Sequence, residues 1–188
     1  MASGPAERAR LLALTRELIL ERGVIGLSLS EVARSIGSNN RMLLYHFGSL
    51  DALLAAAVDE IVGGTELLDR LAGLLNEPGR VVDRLGAAWA HLAEPARRPH
   101  LRVFFARFGM AVDQPERDAE FLRQVRERWT AVVADALRED VRNPDDTAVA
   151  VVALWRGLQV QLICGEDEDR LAAVHSAAVT GLCGSLEK

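Results

Sequence analysis

Gly26-Leu-Ser-Leu-Ser-Glu-Val-Ala-Arg-Ser-Ile-Gly37, then Ser38-Asn-Asn-Arg-Met-Leu-Leu-Tyr-His-Phe47, then Gly48-Ser-Leu-Asp-Ala-Leu-Leu54 is the stretch that decides the fold. Ser28 and Glu31 have the spacing of a capping box. The serine accepts from a backbone N–H of the first turn, and the glutamate reaches back. Val32, Ala33 and Ile36 then share one face of a short helix, which stops at Gly37. The next segment opens at Asn39 or Asn40 and closes near His46 or Phe47. Leu43 and Phe47 lie four apart, so this segment can pack against the one before it. Ser49 is placed to cap a further helix, with Asp51 in its first turn. Upstream, Leu11, Leu14, Leu18 and Ile19 line one face of residues 6–22, and Gly23 follows.

Three short helices with a tight break at Gly37 match a helix-turn-helix unit. In such a unit the second helix crosses the DNA backbone and the third enters the major groove. Leu43 and Phe47 are used for packing, which leaves Asn40, Arg41, Met42, Tyr45 and His46 on other faces. Arginine suits bidentate contact with guanine, and asparagine with adenine. Serine, tyrosine and histidine can hold phosphates. The candidate DNA-contacting set is Ser28, Ser30, Asn39, Asn40, Arg41, Met42, Tyr45 and His46.

Residues 8–54 resemble the N-terminal domain of the TetR family of transcriptional regulators. The matching features are the Ser28 cap, the Val32-Ala33 pair, Gly37 at the turn, the His46-Phe47 pair, and Ser49 with Leu53 opening the next helix. Three positions depart from the family pattern. Leu44 stands where tyrosine is usual, Leu50 where lysine is frequent, and Asn40, Arg41 and Met42 replace the usual small residues or proline. Tyr45 is placed to take over the first lost backbone contact.

Helical periodicity continues to the end of the chain, and strand alternation is almost absent. Segments near 50–75 (with a break at Gly63-Gly64), 79–93, 98–112, 116–140 and 144–164 are bounded by Gly or Pro. A last segment starts at Asp167 and carries Leu171, Val174, Ala178, Val179, Leu182 and Leu186. The expected fold is all-α with about nine helices. Residues 1–49 form the DNA-binding domain and residues 50–188 a larger helical domain.

The resemblance implies that this larger domain binds a small molecule and supplies a homodimer interface. Leu154-Trp-Arg-Gly-Leu-Gln-Val-Gln161 resembles a family stretch in the penultimate helix, except that Arg156 replaces an acidic residue. Trp155, Gly157, Leu158, Leu162, His175, Val179 and Leu182 are the expected interface residues. Gly157 weakens a helix, so a close backbone approach is expected there. Aromatic residues are only 5% of the chain, and most follow residue 88. Trp89, Phe104, Phe105, Phe108 and Trp129, with Gln159 as an orienting polar group, are the expected ligand pocket.

Composition excludes several other classes. Hydrophobic residues are 49% and charged residues 26%, which is a globular balance. Net charge is −5, which argues against coating nucleic acid through bulk positive charge. That average hides a division. Residues 1–50 hold six arginines against four glutamates, and residues 51–188 hold 16 basic against 23 acidic residues. Two cysteines make no disulfide framework, and Cys164 and Cys183 are placed too far apart along a helical hairpin to pair. The four histidines are scattered without a ligand spacing, so no metal and no cofactor are expected. The chain opens without an apolar run behind a basic start, and an unexported, cytoplasmic protein free of the membrane is expected. No nucleophile elbow or phosphate loop is present. The expected function is a sequence-specific, ligand-responsive DNA-binding regulator. It would act as a repressor released from a palindromic double-stranded operator by a small-molecule effector. The alternative is a small all-helical enzyme or protein-interaction module.

Overall fold

The computed structural model describes residues 4–184, so Leu186 lies outside the described residues. Among them are ten α-helices and a 3-10 turn, with no strand. Gly63-Gly64 separates two helices where one broken helix was expected, which raises the count from about nine to ten. The chain divides into two compact units.

The first unit comprises residues 1–64 and 99–110. It contains α1 (Gly4–Arg22), α2 (Leu29–Ser35), α3 (Asn40–Phe47), α4 (Leu50–Gly63) and most of α7 (Arg98–Asp113). Its core is Leu11, Leu18, Ile19, Val32, Ala33, Ile36, Leu43, Leu53, Ala57, Val58 and Val103, all buried. Thr15 is also buried, and its hydroxyl donates to the Leu11 carbonyl at 2.8 Å. This unit extends past the boundary at residue 49 expected for the DNA-binding domain. The reason is packing: α4 places Leu53, Ala57 and Val58 in the same core as α1–α3. The 99–110 segment joins through Val103 and through Arg107, whose Nε lies 3.3 Å from Asp59 Oδ1.

The second unit comprises residues 65–98 and 111–188. Its helices are α5 (Glu66–Leu75), α6 (Val81–Ala93), α8 (Ala119–Leu137), α9 (Pro144–Ile163) and α10 (Glu168–Gly184). The 3-10 turn Pro95–Arg97 follows α6. Pro144 occupies the first turn of α9 together with Asp145 and Asp146, as a helix start requires. Asp167 caps α10, its Oδ1 accepting from Arg170 N at 2.9 Å. Arg84 of α6 donates to the Leu75 carbonyl at 3.0 Å and pairs with Asp140, which ties the end of α5 and the loop after α8 to α6.

The centre of this core is aromatic. Trp155 is fully buried, and its Nε1–H donates to His175 Nε2 at 3.0 Å. The indole of Trp89 stacks on the same imidazole, with ring centroids 5.5 Å apart. Burial pushes the His175 pKa down from 6.5 to about 4, so the ring is neutral and its Nε2 accepts. The sign follows directly. Below pH 6.5 the unfolded chain takes up a proton that the folded chain refuses until about pH 4. Stability is therefore full above pH 6.5 and falls between 6.5 and 4, by up to about 3 kcal/mol. Urea unfolding at pH 7.5 and pH 5 measures this, and His175→Gln, which keeps an acceptor for Trp155, is expected to flatten the dependence.

Candidate functional site

The turn between α2 and α3 is built by caps at both ends. Ser28 Oγ accepts from Glu31 N at 3.3 Å, and Ser28 N donates to Glu31 Oε2 at 2.9 Å, which completes the capping box. These bonds from Ser28 hold the Glu31 carboxyl below the usual carboxylate range. Gly37 takes φ 65°, a conformation that a side chain resists, and Ser38 N then donates back to Ala33 O at 2.8 Å. Asn39 Oδ1 accepts from Met42 N at 3.0 Å and caps α3. Asn40 Nδ2 donates to Ser30 Oγ at 3.0 Å, joining the first turns of the two helices.

On α3, Leu43 is 1% exposed and Phe47 is half-buried, so this face belongs to the core. Arg41 and Tyr45 lie one turn apart and point outward, with Tyr45 79% exposed. Met42 and His46 are half-buried. The His46 ring packs edge-on against Tyr45, with centroids 4.9 Å apart. The eight predicted DNA-contacting residues thus fall into two groups. Ser28, Ser30, Asn39 and Asn40 are engaged in caps or in the link between helices. Arg41 and Tyr45 are presented to solvent, flanked by Met42 and His46. Sequence reasoning missed Arg8, whose guanidinium lies 4.8 Å above the Phe47 ring. Nothing local connects residues 39 positions apart, so only packing could show it.

The predicted pocket residues are drawn from both units. Phe104, Phe105 and Phe108 belong to the first unit, where the Phe104 ring meets Phe105 edge-on at 5.2 Å and stacks with Phe108 at 6.1 Å between centroids. Trp89, Trp129 and Gln159 belong to the second. Within that unit, Arg156 of α9 lies over the Trp129 ring of α8 at 4.1 Å. Its Nη1 donates to Gln159 Oε1 at 3.1 Å. Burial pushes the Arg156 pKa down to about 10. Gln159 is fully buried, and its Nε2 meets no acceptor among the described residues. An unmet buried donor costs about 1–3 kcal/mol.

The predicted dimer seam requires correction. Trp155, Leu158, Leu162, His175 and Val179 are at most 6% exposed within the single chain. They face the core shared with α6 and α8, so a second copy cannot meet them. Gly157 is exposed and Leu182 half-buried. A Cβ built on Gly157 would meet nothing within 4 Å, so the close approach expected there does not come from within the chain.

Comparisons with known proteins find the same fold. Residues 11–57 match the family model of bacterial regulatory proteins, tetR family. A transcriptional regulator from Rhodococcus sp. Rha1 superimposes with a TM-score of 0.77 at 22% identity, covering 96% of this chain and 98% of that one. A TetR-family transcriptional regulator from Pectobacterium atrosepticum gives a TM-score of 0.68 at 24% identity, covering 98% and 95%. The multidrug binding protein EbrR, solved with imidazole, gives a TM-score of 0.65 at 22% identity, covering 95% and 90%. No curated protein sequence matches. No single helix among the described residues is long and apolar enough to cross a membrane.

The capping box makes one quantitative demand. Ser28→Ala removes the Oγ acceptor and leaves Glu31 N to water, at a cost of about 1 kcal/mol in unfolding free energy. Ser28→Asp, which restores a side-chain acceptor, is expected to recover it; chemical denaturation compares the three proteins.

Proposed function

We propose that this chain, whose residues 11–57 match the family model of bacterial regulatory proteins, tetR family, is a homodimeric repressor released from a palindromic operator by a small molecule. The observation that carries the DNA-reading part is the two-sided character of α3. Leu43 anchors one side in the core, while Arg41 and Tyr45 stand exposed on the other. A guanidinium there suits the O6/N7 edge of guanine, and the tyrosine hydroxyl suits a phosphate. Residues 1–49 do the reading, and residues 50–188 sense and dimerise. One helix of eight residues makes too few contacts for tight specificity, whereas two helices a DNA turn apart read two half-sites.

The seam lies on the outward faces of α9 and α10. On α9, Val149, Ala153, Gly157, Val160 and Cys164 are exposed at spacings of three and four, which is one continuous apolar stripe. On α10, Ala173, Ala177 and Gly181 continue it. Small residues at these positions permit close helix approach. The effector acts by differential binding: it favours a dimer geometry in which the two α3 helices no longer match groove spacing, and operator affinity falls accordingly. The reading as an enzyme or interaction module predicts no sequence-specific binding to DNA.

Two expectations test this reading. Arg41→Ala weakens binding to the DNA upstream of the chain's own gene by about tenfold or more, with unfolding unchanged, as a gel shift and a denaturation curve together report. Gly157→Leu has room within the chain and suits a helix better than glycine. It is expected to leave the helical circular dichroism intact, shift the protein to monomer in sedimentation analysis, and weaken operator binding.

A further inference from the structure

We infer that Leu44 is a specificity-determining residue of α3: it reads a thymine through the C5-methyl group, beside the guanine that Arg41 meets. The inference rests on the DNA-reading proposal above and adds to it a base that the polar residues of the helix do not select.

From α3 the core of the first unit takes Leu43 and, in part, Phe47. Leu44 stays outside that core and is 43% exposed. A single exposed leucine is ordinary on a protein surface. This one lies on the outward side of α3, three residues after Arg41 and next to Tyr45, both exposed. Residues three apart are neighbours on a helix surface, so a partner that meets Arg41 also meets Leu44. Asn40, one turn before Leu44, is tied to α2 through Ser30, and the Tyr45 ring packs on His46.

A DNA major groove offers Leu44 two kinds of surface. Against a phosphate, an isobutyl group makes no hydrogen bond and strips water from a charge, which costs free energy. On the groove floor, guanine, adenine and cytosine present polar edges that a leucine would cover without pairing. Among the four bases thymine alone presents a methyl group there, and burying it against the leucine is favourable. Leu44 thus selects by attraction to one base and by unpaired polar groups at the other three. From Arg41 to Leu44 the helix rises about 4.5 Å and base pairs stack about 3.4 Å apart, which puts the thymine one or two base pairs from the guanine.

A random pool of duplex DNA, from which the full chain selects the sequences it binds, supplies the probe. Each thymine of an enriched duplex is then replaced, in both half-sites together, by deoxyuridine, which pairs alike and lacks only the methyl group. At one thymine, within two base pairs of a guanine, this replacement is expected to lower gel-shift affinity about tenfold. In Leu44→Ala the same replacement should change affinity by less than about twofold, while in Arg41→Ala the tenfold ratio should persist on weaker binding. Circular dichroism and chemical denaturation of Leu44→Ala are expected to match the unsubstituted protein, because the side chain lies outside the core. No thymine whose replacement matters, or an equal loss in Leu44→Ala, would overturn the inference. If no duplex is enriched, the DNA-reading proposal falls with it. If a duplex is enriched but thymine and deoxyuridine bind alike, the DNA-reading proposal stands and the role of Leu44 falls.

Discussion

An eight-residue helix does not hold itself together in water. That constraint governs the surface proposed to read DNA, because α3 must be made rigid by what surrounds it. Leu43 supplies the anchor and is almost wholly buried among α1, α2 and α4. Asn39 closes the first turn, and Gly48 ends the last with φ 79°. Asn40 pins that first turn to Ser30 on α2. Only with these contacts in place do Arg41 and Tyr45 have a defined direction. Several polar residues of the helix-turn-helix thus work on the protein rather than on a partner.

The second unit meets the opposite problem. Its helices are long enough to persist, but its core contains groups that need partners. Trp155 has one N–H and is fully buried, and His175 supplies the acceptor for it. Desolvation keeps that histidine neutral, which is the state the bond needs. One turn further along α9, Gln159 Nε2 is a buried donor that meets no acceptor among the described residues.

Local features of the fold were legible in the sequence. The Ser28/Glu31 spacing, the Gly37 stop, the Ser49 cap and the Asp167 start all reappear as hydrogen bonds or helix ends. These signals act over three or four residues, and so survive without knowledge of the rest of the chain. Segment-level expectations were less secure. Gly63-Gly64 was seen as a break but not as the boundary between two units. Phe104, Phe105 and Phe108 were grouped with Trp89 and Trp129 because all are aromatic, yet they belong to different units. Residue type carries no information about which core a side chain joins.

By itself the sequence determined an all-helical chain with a capped helix-turn-helix near its start and an acidic remainder. Periodicity and capping are properties of neighbours along the chain, so they can be read from it directly. Only the tertiary structure decided the orientation of α9. That helix is apolar on nearly every side, from Val149 and Val160 outside to Val151, Trp155 and Leu158 inside. No hydrophobic stripe marks its buried face, and only contact with α8 and α10 selects one. The same contacts turn Trp155 and His175 inward, leave Gly157 on the surface, and bring Arg156 onto Trp129.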